Sequence, residues 1–281
     1  MSARKSPRHA GLLAHKLADS ALCTDLAAQA CKVKVKAKVE PLSEYLWKST
    51  KAQQQNALKS KFIQGLQNGT LDPTDFGGYM VQDSVYCYHS KESIDTAAEK
   101  AKDPGLKDFL EKRSESYKKY YEELFTSWHI RDPTGIDLSK ACADYASLEK
   151  EVAETMTSIY LIVALIPCSK LWPWLGKKIS NPPTKFGVYE SWVNSNLDPN
   201  YDGYKKLDKI IDDAFLVGAI DKEEAFRVYN GCMTGAVGSS VPFWSPWINL
   251  DFSAFCCWAF VDFQRYSERG STFAFTLTLH A

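Results

Sequence analysis

One acidic side chain, Asp83, lies within the apolar and aromatic stretch GGYMVQDSVYCYH at residues 77–89. Three tyrosines, a cysteine and a glutamine share this stretch with it. A carboxylate that is taken out of water requires hydrogen-bond donors, because an unpaired buried charge is costly. We therefore expect Asp83 either to join core elements through a polar contact or to line the floor of a pocket.

The chain offers no motif for a metal or a cofactor. Its eight cysteines are far apart except for one vicinal pair, and none forms a CxxC motif; they are Cys23, Cys31, Cys87, Cys142, Cys168, Cys232, Cys256 and Cys257. This spacing excludes a zinc ribbon and a compact disulfide scaffold. The five histidines are scattered and no Glu-x-x-His motif is present, so we expect neither a metal nor a cofactor.

The composition predicts a soluble protein. Lys plus Arg and Asp plus Glu both total 34 among 281 residues, and this zero net charge argues against nucleic acid and anionic membranes as partners. No apolar run approaches the roughly 18 residues that a membrane-spanning helix needs. Thiols without a disulfide pattern favour a reducing compartment, so we expect a cytoplasmic protein.

The elements that position Asp83 are predicted to be helices. The stretch NALKSKFIQGLQNG has apolar residues at helical spacing, and Gly69 has the character of a C-cap. Asp72 and Pro73 then form the N-cap and first turn of a long helix that carries Asp83. The stretch from Ala141 to Pro167 predicts another long helix, apolar nearly all round toward its end, which Pro167 should kink or end.

Shorter helical patterns follow from CSKLWPWLGKKI to DKEEAFRVYNGCM, and strand-like alternation is confined to the chain ends. The prediction is an all-α protein, a bundle of about six to eight helices. We expect a basic, disordered arm over residues 1–40, a helical domain over residues 41–247 and an unassigned C-terminal extension over residues 248–281. The extension is either an added segment or a read-through of a splice boundary.

Four sequence blocks stand in a definite order: FIQGLQNGTLDPTDFGGYMVQDSVY, DYASL, ALIPCSKLWPWLG and YESWVNSN. This order resembles the TenA/thiaminase II family, and the first block is the most specific. The resemblance covers about residues 46–244. It implies a heme-oxygenase-like helical bundle, the hydrolysis of aminopyrimidines in thiamin salvage, a small-molecule ligand and a possible homo-oligomer.

The resemblance assigns roles to four residues. Cys168 matches the nucleophile that attacks the pyrimidine ring, and Asp83 matches the aspartate that hydrogen-bonds the ring nitrogen and exocyclic amine. Tyr86 and Tyr145 match tyrosines of the pocket, where a hydroxyl could lower the pKa of the thiol or hold the ring. We expect the Cys168 thiol to be exposed at a cavity, because it follows the predicted helix break at Pro167.

Three positions depart from the family pattern. Trp172 and Asn196 stand where the family has tyrosines, so we interpret them as replacements in the pocket wall. The family glutamate that precedes a Phe-Trp pair corresponds to Ser240 if the pair is residues 243–244. A serine cannot replace a carboxyl group in proton transfer, a contribution of about 10²–10⁴ in rate.

Two functions are therefore predicted, and each candidate residue also has a purely structural interpretation. The first function is a TenA-like C–N hydrolase that uses Cys168 as a nucleophile. The alternative is a catalytically impaired relative that binds a pyrimidine or another heterocycle. As structural residues, Cys168 would be a buried packing cysteine, and Asp83 would join two helices through Tyr145 or a backbone N–H.

Overall fold

The structure, a computed structural model, describes residues 40–180 and 184–235. This part of the chain contains helices and no strand. The α-helices are α1 (Leu42–Ser49), α2 (Lys51–Leu58), α3 (Lys61–Asn68), α4 (Pro73–Lys100), α5 (Pro104–Ser127), α6 (Lys140–Thr155), α7 (Ile159–Ile179), α8 (Glu190–Asn196), α9 (Tyr204–Leu216) and α10 (Lys222–Gly235). Short 3₁₀ turns occur at Pro133–Gly135 and Gly187–Tyr189.

The all-α prediction is confirmed, although the described residues hold ten α-helices rather than about six to eight. The difference arises partly at the start of the domain, where residues 42–68 form three short helices. The predicted C-terminal extension and all of the predicted arm except Glu40 lie outside the described residues.

The turn that opens α4 agrees with the sequence prediction. Gly69 follows α3 with a φ of 67°, in the left-handed region that glycine adopts without a Cβ penalty. The Asp72 carboxylate then accepts a hydrogen bond from the backbone N–H of Thr74 at 2.7 Å, and Pro73 is the first residue of α4. These local signals fix the start of the helix that carries Asp83.

The stretch from Ala141 to Pro167, predicted as one helix, belongs to two helices, because α6 ends at Thr155 and α7 begins at Ile159. The Lys100 ammonium group donates to three backbone carbonyls at this break, those of Ala153 at 2.7 Å, Glu154 at 2.7 Å and Met156 at 3.0 Å. A lysine cation at the end of α6 satisfies carbonyls that have no helical N–H donor. The break therefore depends on a residue at the end of α4.

Pro167 does not end its helix, since α7 runs from Ile159 to Ile179 with this proline inside. Proline has no N–H to donate to Val163, four residues earlier. The next two carbonyls along the helix accept hydrogen bonds from side-chain hydroxyl groups: Ala164 from Tyr145 at 2.8 Å, and Leu165 from Ser169 at 3.1 Å. These bonds give the carbonyls next to that of Val163 a side-chain donor.

Helix α7 is the core helix of the bundle, and most of its residues are buried on every side. It packs against α9 and α10, while α4 packs against α5 and α6, and α6 also contacts α7 and α10. Helix α7 is the one helix in the described residues that is long and apolar enough to cross a membrane, but 83% of its apolar window is buried inside the protein. Such burial is typical of the core helix of a soluble protein.

Candidate functional site

Asp83 is fully buried and hydrogen-bonded to the neighbouring helix. Its exposed fraction is 0%, and its Oδ2 atom accepts a hydrogen bond from the Tyr120 hydroxyl of α5 at 2.8 Å. Burial of the phenol, together with the nearby Asp83 carboxylate, raises the pKa of Tyr120 well above its ordinary value. Tyr120 is therefore a protonated donor. Its bond to Asp83 joins α4 to α5, whereas the sequence analysis had considered Tyr145 as the partner of Asp83.

The Gln-Asp-x-x-Tyr motif connects α4 to three other segments. Gln82 binds the loop before α6: its Oε1 accepts from the Ser139 backbone N–H at 2.6 Å, and its Nε2 donates to the Asp137 carbonyl at 3.0 Å. Asp83 binds α5, and the Tyr86 hydroxyl donates to Glu149 of α6 at 2.8 Å. The motif thus fixes the position of α4 among its neighbours.

An aromatic cluster joins α4 to α7 and α8. The ring of Tyr79 lies 6.2 Å from that of Trp172 and 5.7 Å from that of Trp192, and the two tryptophans are 6.0 Å apart. Phe62 of α3 and Phe76 of α4 extend the cluster at 5.9 and 5.4 Å from Trp192. Tilted and edge-to-face arrangements of this kind are the favourable ones for aromatic pairs.

Cys168 lies inside α7 and its exposed fraction is 6%. The expectation that its thiol follows a helix break at an open cavity is wrong, because α7 continues through the preceding proline. The thiol is nevertheless one helical turn from Trp172, just as Asp83 is one turn from Tyr79. The contact between Trp172 and Tyr79 therefore joins α4 and α7 one turn from Asp83 and one turn from Cys168.

A second set of contacts connects α4 to α7 on the other side of Asp83 and Cys168 along the chain. The ring of Tyr86, one turn beyond Asp83, packs edge-on against Tyr145 at 5.5 Å. The Tyr145 hydroxyl donates to the carbonyl of Ala164, one turn before Cys168. Along the chain, Asp83 therefore stands between Tyr79 and Tyr86 on α4, and Cys168 stands between Ala164 and Trp172 on α7. That the side chains of Asp83 and Cys168 face each other stays a prediction.

The two tyrosines that the sequence analysis predicts to line the pocket are buried. Tyr86 and Tyr145 have exposed fractions of 0% and 1%. Their hydroxyl protons are directed to Glu149 and to the Ala164 carbonyl. Each phenol oxygen retains the capacity to accept a hydrogen bond, so their contact with a ligand or with the thiol stays a prediction.

Glu149 is a buried acid that the sequence analysis missed. Its exposed fraction is 0%, and its two carboxyl oxygens accept hydrogen bonds from Tyr86 at 2.8 Å and Ser90 at 2.7 Å. Desolvation raises the pKa of Glu149 to about 7, although both hydrogen bonds lower it. Its spacing of four residues from Tyr145 places it on the buried face of α6, a signal that the flanking charged residues Lys150 and Glu151 obscured.

A sequence profile of the TENA/THI-4/PQQC family matches residues 47–246. The chain belongs to this family. No curated protein sequence matches the chain. The structure is similar to that of a TenA family transcription regulator from Silicibacter sp. TM1040, with a TM-score of 0.59 and 15% identity, covering 69% of this chain and 93% of that one.

Two other solved structures show the same similarity. A TenA homologue from Pyrococcus furiosus has a TM-score of 0.56 and 17% identity, over 69% of this chain and 95% of that one. A candidate TenA-like thiaminase from Sulfolobus solfataricus P2 has a TM-score of 0.51 and 18% identity, over 68% and 90% of the two chains. The predicted family and its helical heme-oxygenase-like fold are thereby confirmed.

The three positions that depart from the family pattern lie in different places. Trp172 is buried within the aromatic cluster, one helical turn after Cys168. Asn196 is the last residue of α8, and its side-chain nitrogen donates to the Trp192 carbonyl of the same helix at 2.5 Å. Ser240 lies outside the described residues. The pocket roles of all three stay predictions.

Two cavities described on this part of the chain lie apart from these groups. One of about 250 Å³ lies between α4 and α6 and is lined by residues that include His89, Glu92 and Lys150. The other lies near the end of α5, beside Phe125 and His129. In the described ranges, no group of three His, Cys, Asp or Glu side chains is placed to hold a metal ion.

Proposed function

We propose that this protein is a TenA-type hydrolase that acts on a C–N bond of a thiamin-derived aminopyrimidine. Cys168 serves as the nucleophile and Asp83 as the group that binds the amino-substituted ring. The observation that supports this proposal is that two sets of contacts, Tyr79–Trp172 and Tyr86–Tyr145–Ala164, join α4 to α7 one turn to either side of Asp83 and of Cys168. Membership of the TENA/THI-4/PQQC family supports it.

The chemistry follows from the two groups. A buried carboxylate accepts N–H bonds, and an aminopyrimidine offers an exocyclic amine and, when protonated, a ring N–H. Tyr120 holds one Asp83 oxygen in place from α5. The Cys168 thiolate adds to the electron-poor ring, and the C–N bond of the aminomethyl group breaks to release ammonia. Water then adds to the exposed methylene carbon, and the bond between the ring and the Cys168 sulfur breaks, which releases the hydroxymethyl product and restores the thiolate.

The aromatic cluster supports a flat, apolar ligand. Tyr79, Trp172 and Trp192 come from three different helices and their rings pack together. Tyr79 is one helical turn from Asp83, and Trp172 is one turn from Cys168. Aromatic faces bind a heterocyclic ring by offset or edge contacts, which complement the polar contact with Asp83. Trp172 and Asn196 would set the shape of the ligand.

Turnover of an aminomethyl-substituted aminopyrimidine and of thiamin tests the proposal. We expect hydroxymethylpyrimidine product from the wild type and a loss of turnover in Cys168→Ala, with Cys87→Ala as the matched buried-cysteine control on α4. Absence of product from the wild type, or equal rates in Cys168→Ala and wild type, would refute the hydrolase.

A second function, a binding protein without turnover, is favoured by a different observation. Trp172 packs its ring against Tyr79 and Trp192 at a position where the family resemblance implies a hydroxyl group. A thermal-shift series separates the two functions, because a ligand at 100 times its Kd stabilises the folded state by about 2.7 kcal/mol. Stabilisation by an aminopyrimidine with no product formed supports the binding protein over the enzyme.

A further inference from the structure

Glu149 is a titratable group in the core that has no role in the proposed reaction as described above. It comes from α6, and both of its oxygens are bound by hydroxyl groups of α4, Tyr86 and Ser90. Among the described residues no cation is bound to Glu149, and burial of an acid beside hydroxyl groups alone is costly for the ionised form. The two hydrogen bonds join α6 to α4, and the raised pKa of the acid makes a second, chemical role worth testing.

Tyr86 connects this acid to the proposed site. Tyr86 lies on the same face of α4 as Asp83 and Tyr79, at spacings of three and seven residues. Its ring packs against Tyr145, which in turn binds the carbonyl one turn before Cys168. The Tyr86 phenol thus contacts both the Glu149 carboxyl group and the ring of Tyr145, whose hydroxyl binds α7 one turn before Cys168.

The surroundings keep Glu149 able to exchange a proton near neutral pH. Desolvation raises its pKa to about 7, while the hydrogen bonds from Ser90 and Tyr86 act in the opposite direction. Both of these groups belong to α4; α7 and α10, which also pack against α6, add no charged or titratable group to the shift. An acid with a pKa near the working pH is best suited to transfer protons in both directions.

We propose that Glu149 supplies and recovers the proton of the reaction through the Tyr86 hydroxyl, in place of the family glutamate that corresponds to Ser240. The inference rests on the proposed hydrolase. In the reacting state the Tyr86 hydroxyl turns from Glu149 toward the substrate and its oxygen accepts a hydrogen bond from the protonated Glu149. As the C–N bond breaks, Tyr86 gives its proton to the departing amine nitrogen and takes the proton of the Glu149 carboxylic acid. When water adds, one of its protons returns through Tyr86 to the Glu149 carboxylate, and its oxygen forms the new alcohol.

The pH dependence of kcat tests this proposal in three variants. Glu149→Gln removes the proton, Ser90→Ala removes one hydrogen bond that favours the carboxylate, and Glu151→Gln is the control because it is an exposed acid on the same helix. Each variant is measured for kcat and KM on the aminomethyl-substituted aminopyrimidine between pH 5 and 9, and each is checked for folding by thermal unfolding.

The wild type should lose kcat as the pH rises through about 7, because the acid form of Glu149 is required. Glu149→Gln should lower kcat by about 10²–10⁴-fold with little change in KM, and the fall near neutral pH should vanish. Ser90→Ala should move this fall to higher pH, since the lost hydrogen bond had lowered the pKa. Glu151→Gln should match the wild type.

Two results overturn the inference while the hydrolase stands: an active Glu149→Gln with an unchanged pH profile, or an active Ser90→Ala whose fall stays where the wild type has it. If Glu149→Gln does not fold, Ser90→Ala decides alone. An inactive wild type is a different failure, because it removes the proposed hydrolase and the role of Glu149 together.

Discussion

Asp83 and Glu149 are two fully buried acids with different surroundings. The Asp83 carboxylate is bound by Tyr120 from α5, next to an aromatic cluster that could receive a ring. Glu149 is bound by two hydroxyl groups from α4, and burial raises its pKa to about 7. The two environments fit the two proposed roles, ligand binding for Asp83 and proton transfer for Glu149.

At this scale we predict the effect of Tyr120→Phe. The substitution removes the hydroxyl that donates to Asp83, so a buried carboxylate oxygen loses a donor and the free energy of unfolding should fall by about 1–3 kcal/mol. Chemical denaturation measures this change. Tyr88→Phe is the control on the neighbouring helix α4, where the tyrosine makes ring contacts with Tyr121 and Phe125. A Tyr120→Phe protein as stable as Tyr88→Phe would contradict the bond.

The residue-scale signals were only partly readable in the sequence. A lone acid among tyrosines predicted a buried Asp83, and the structure confirms this burial. The sequence did not reveal Tyr120 as its partner, because the hydroxyl arrives from another helix 37 residues away. Glu149 was missed because it is followed by Lys150 and Glu151, and such a run of charged residues is typical of a solvent-exposed helix face.

Helix α7 shows which element boundaries a sequence can predict. Local chemistry fixed the α3–α4 turn, since Gly69, Asp72 and Pro73 act within a few residues of each other. The break between α6 and α7 involves a distant residue instead. Lys100 of α4 donates to carbonyls at the end of α6, and the Tyr145 hydroxyl donates to a carbonyl of α7 three residues before Pro167.

Gly176 of α7 lies against the chain at the end of α8. A Cβ atom at Gly176 would lie 1.7 Å from the backbone carbonyl oxygen of Leu197, the residue that follows α8. Gly176→Ala must therefore push α8 away from α7 and should lower the free energy of unfolding by about 1–3 kcal/mol or more. Trp192 lies on α8, so ligand binding should weaken as well.

Gly135→Ala is the matched control for this substitution, because a Cβ at Gly135 would have no other atom within 4 Å. Thermal and denaturant unfolding of the two variants gives the comparison. Equal stabilities would mean that α7 and the end of α8 are not held as close as the structure has them.

At the scale of the whole molecule, Glu149 links stability to pH. Its pKa is about 7 in the folded state and about 4.3 in an unfolded chain, so between these values the folded state binds more protons. The contribution of Glu149 to stability is therefore full at low pH and is lost as the pH rises toward 7. The total loss is about 2–4 kcal/mol.

This prediction is measured with Glu149→Gln. The free energy of unfolding of the variant relative to wild type should rise by about 2–4 kcal/mol between pH 4.5 and pH 8. Denaturant titrations at both pH values provide the numbers, and Glu151→Gln provides the exposed control on α6. A constant difference between Glu149→Gln and the wild type would show that Glu149 does not titrate in this range.

The cytoplasmic location and the homo-oligomer stay predictions. Light scattering of the full-length protein tests the second: a mass of several chains agrees with it, and a mass near the 31.6 kDa of one chain contradicts it.

The central claim is that Asp83 and Cys168 face one ligand-binding space between α4 and α7. A crystal structure of the Cys168→Ala protein with a saturating aminopyrimidine tests it most directly. We expect the ring beside the Tyr79–Trp172 pair, with its amino group within hydrogen-bond distance of the Asp83 carboxylate and an edge toward position 168. A ligand bound elsewhere, or side chains of Asp83 and residue 168 that point away from each other, would contradict the account.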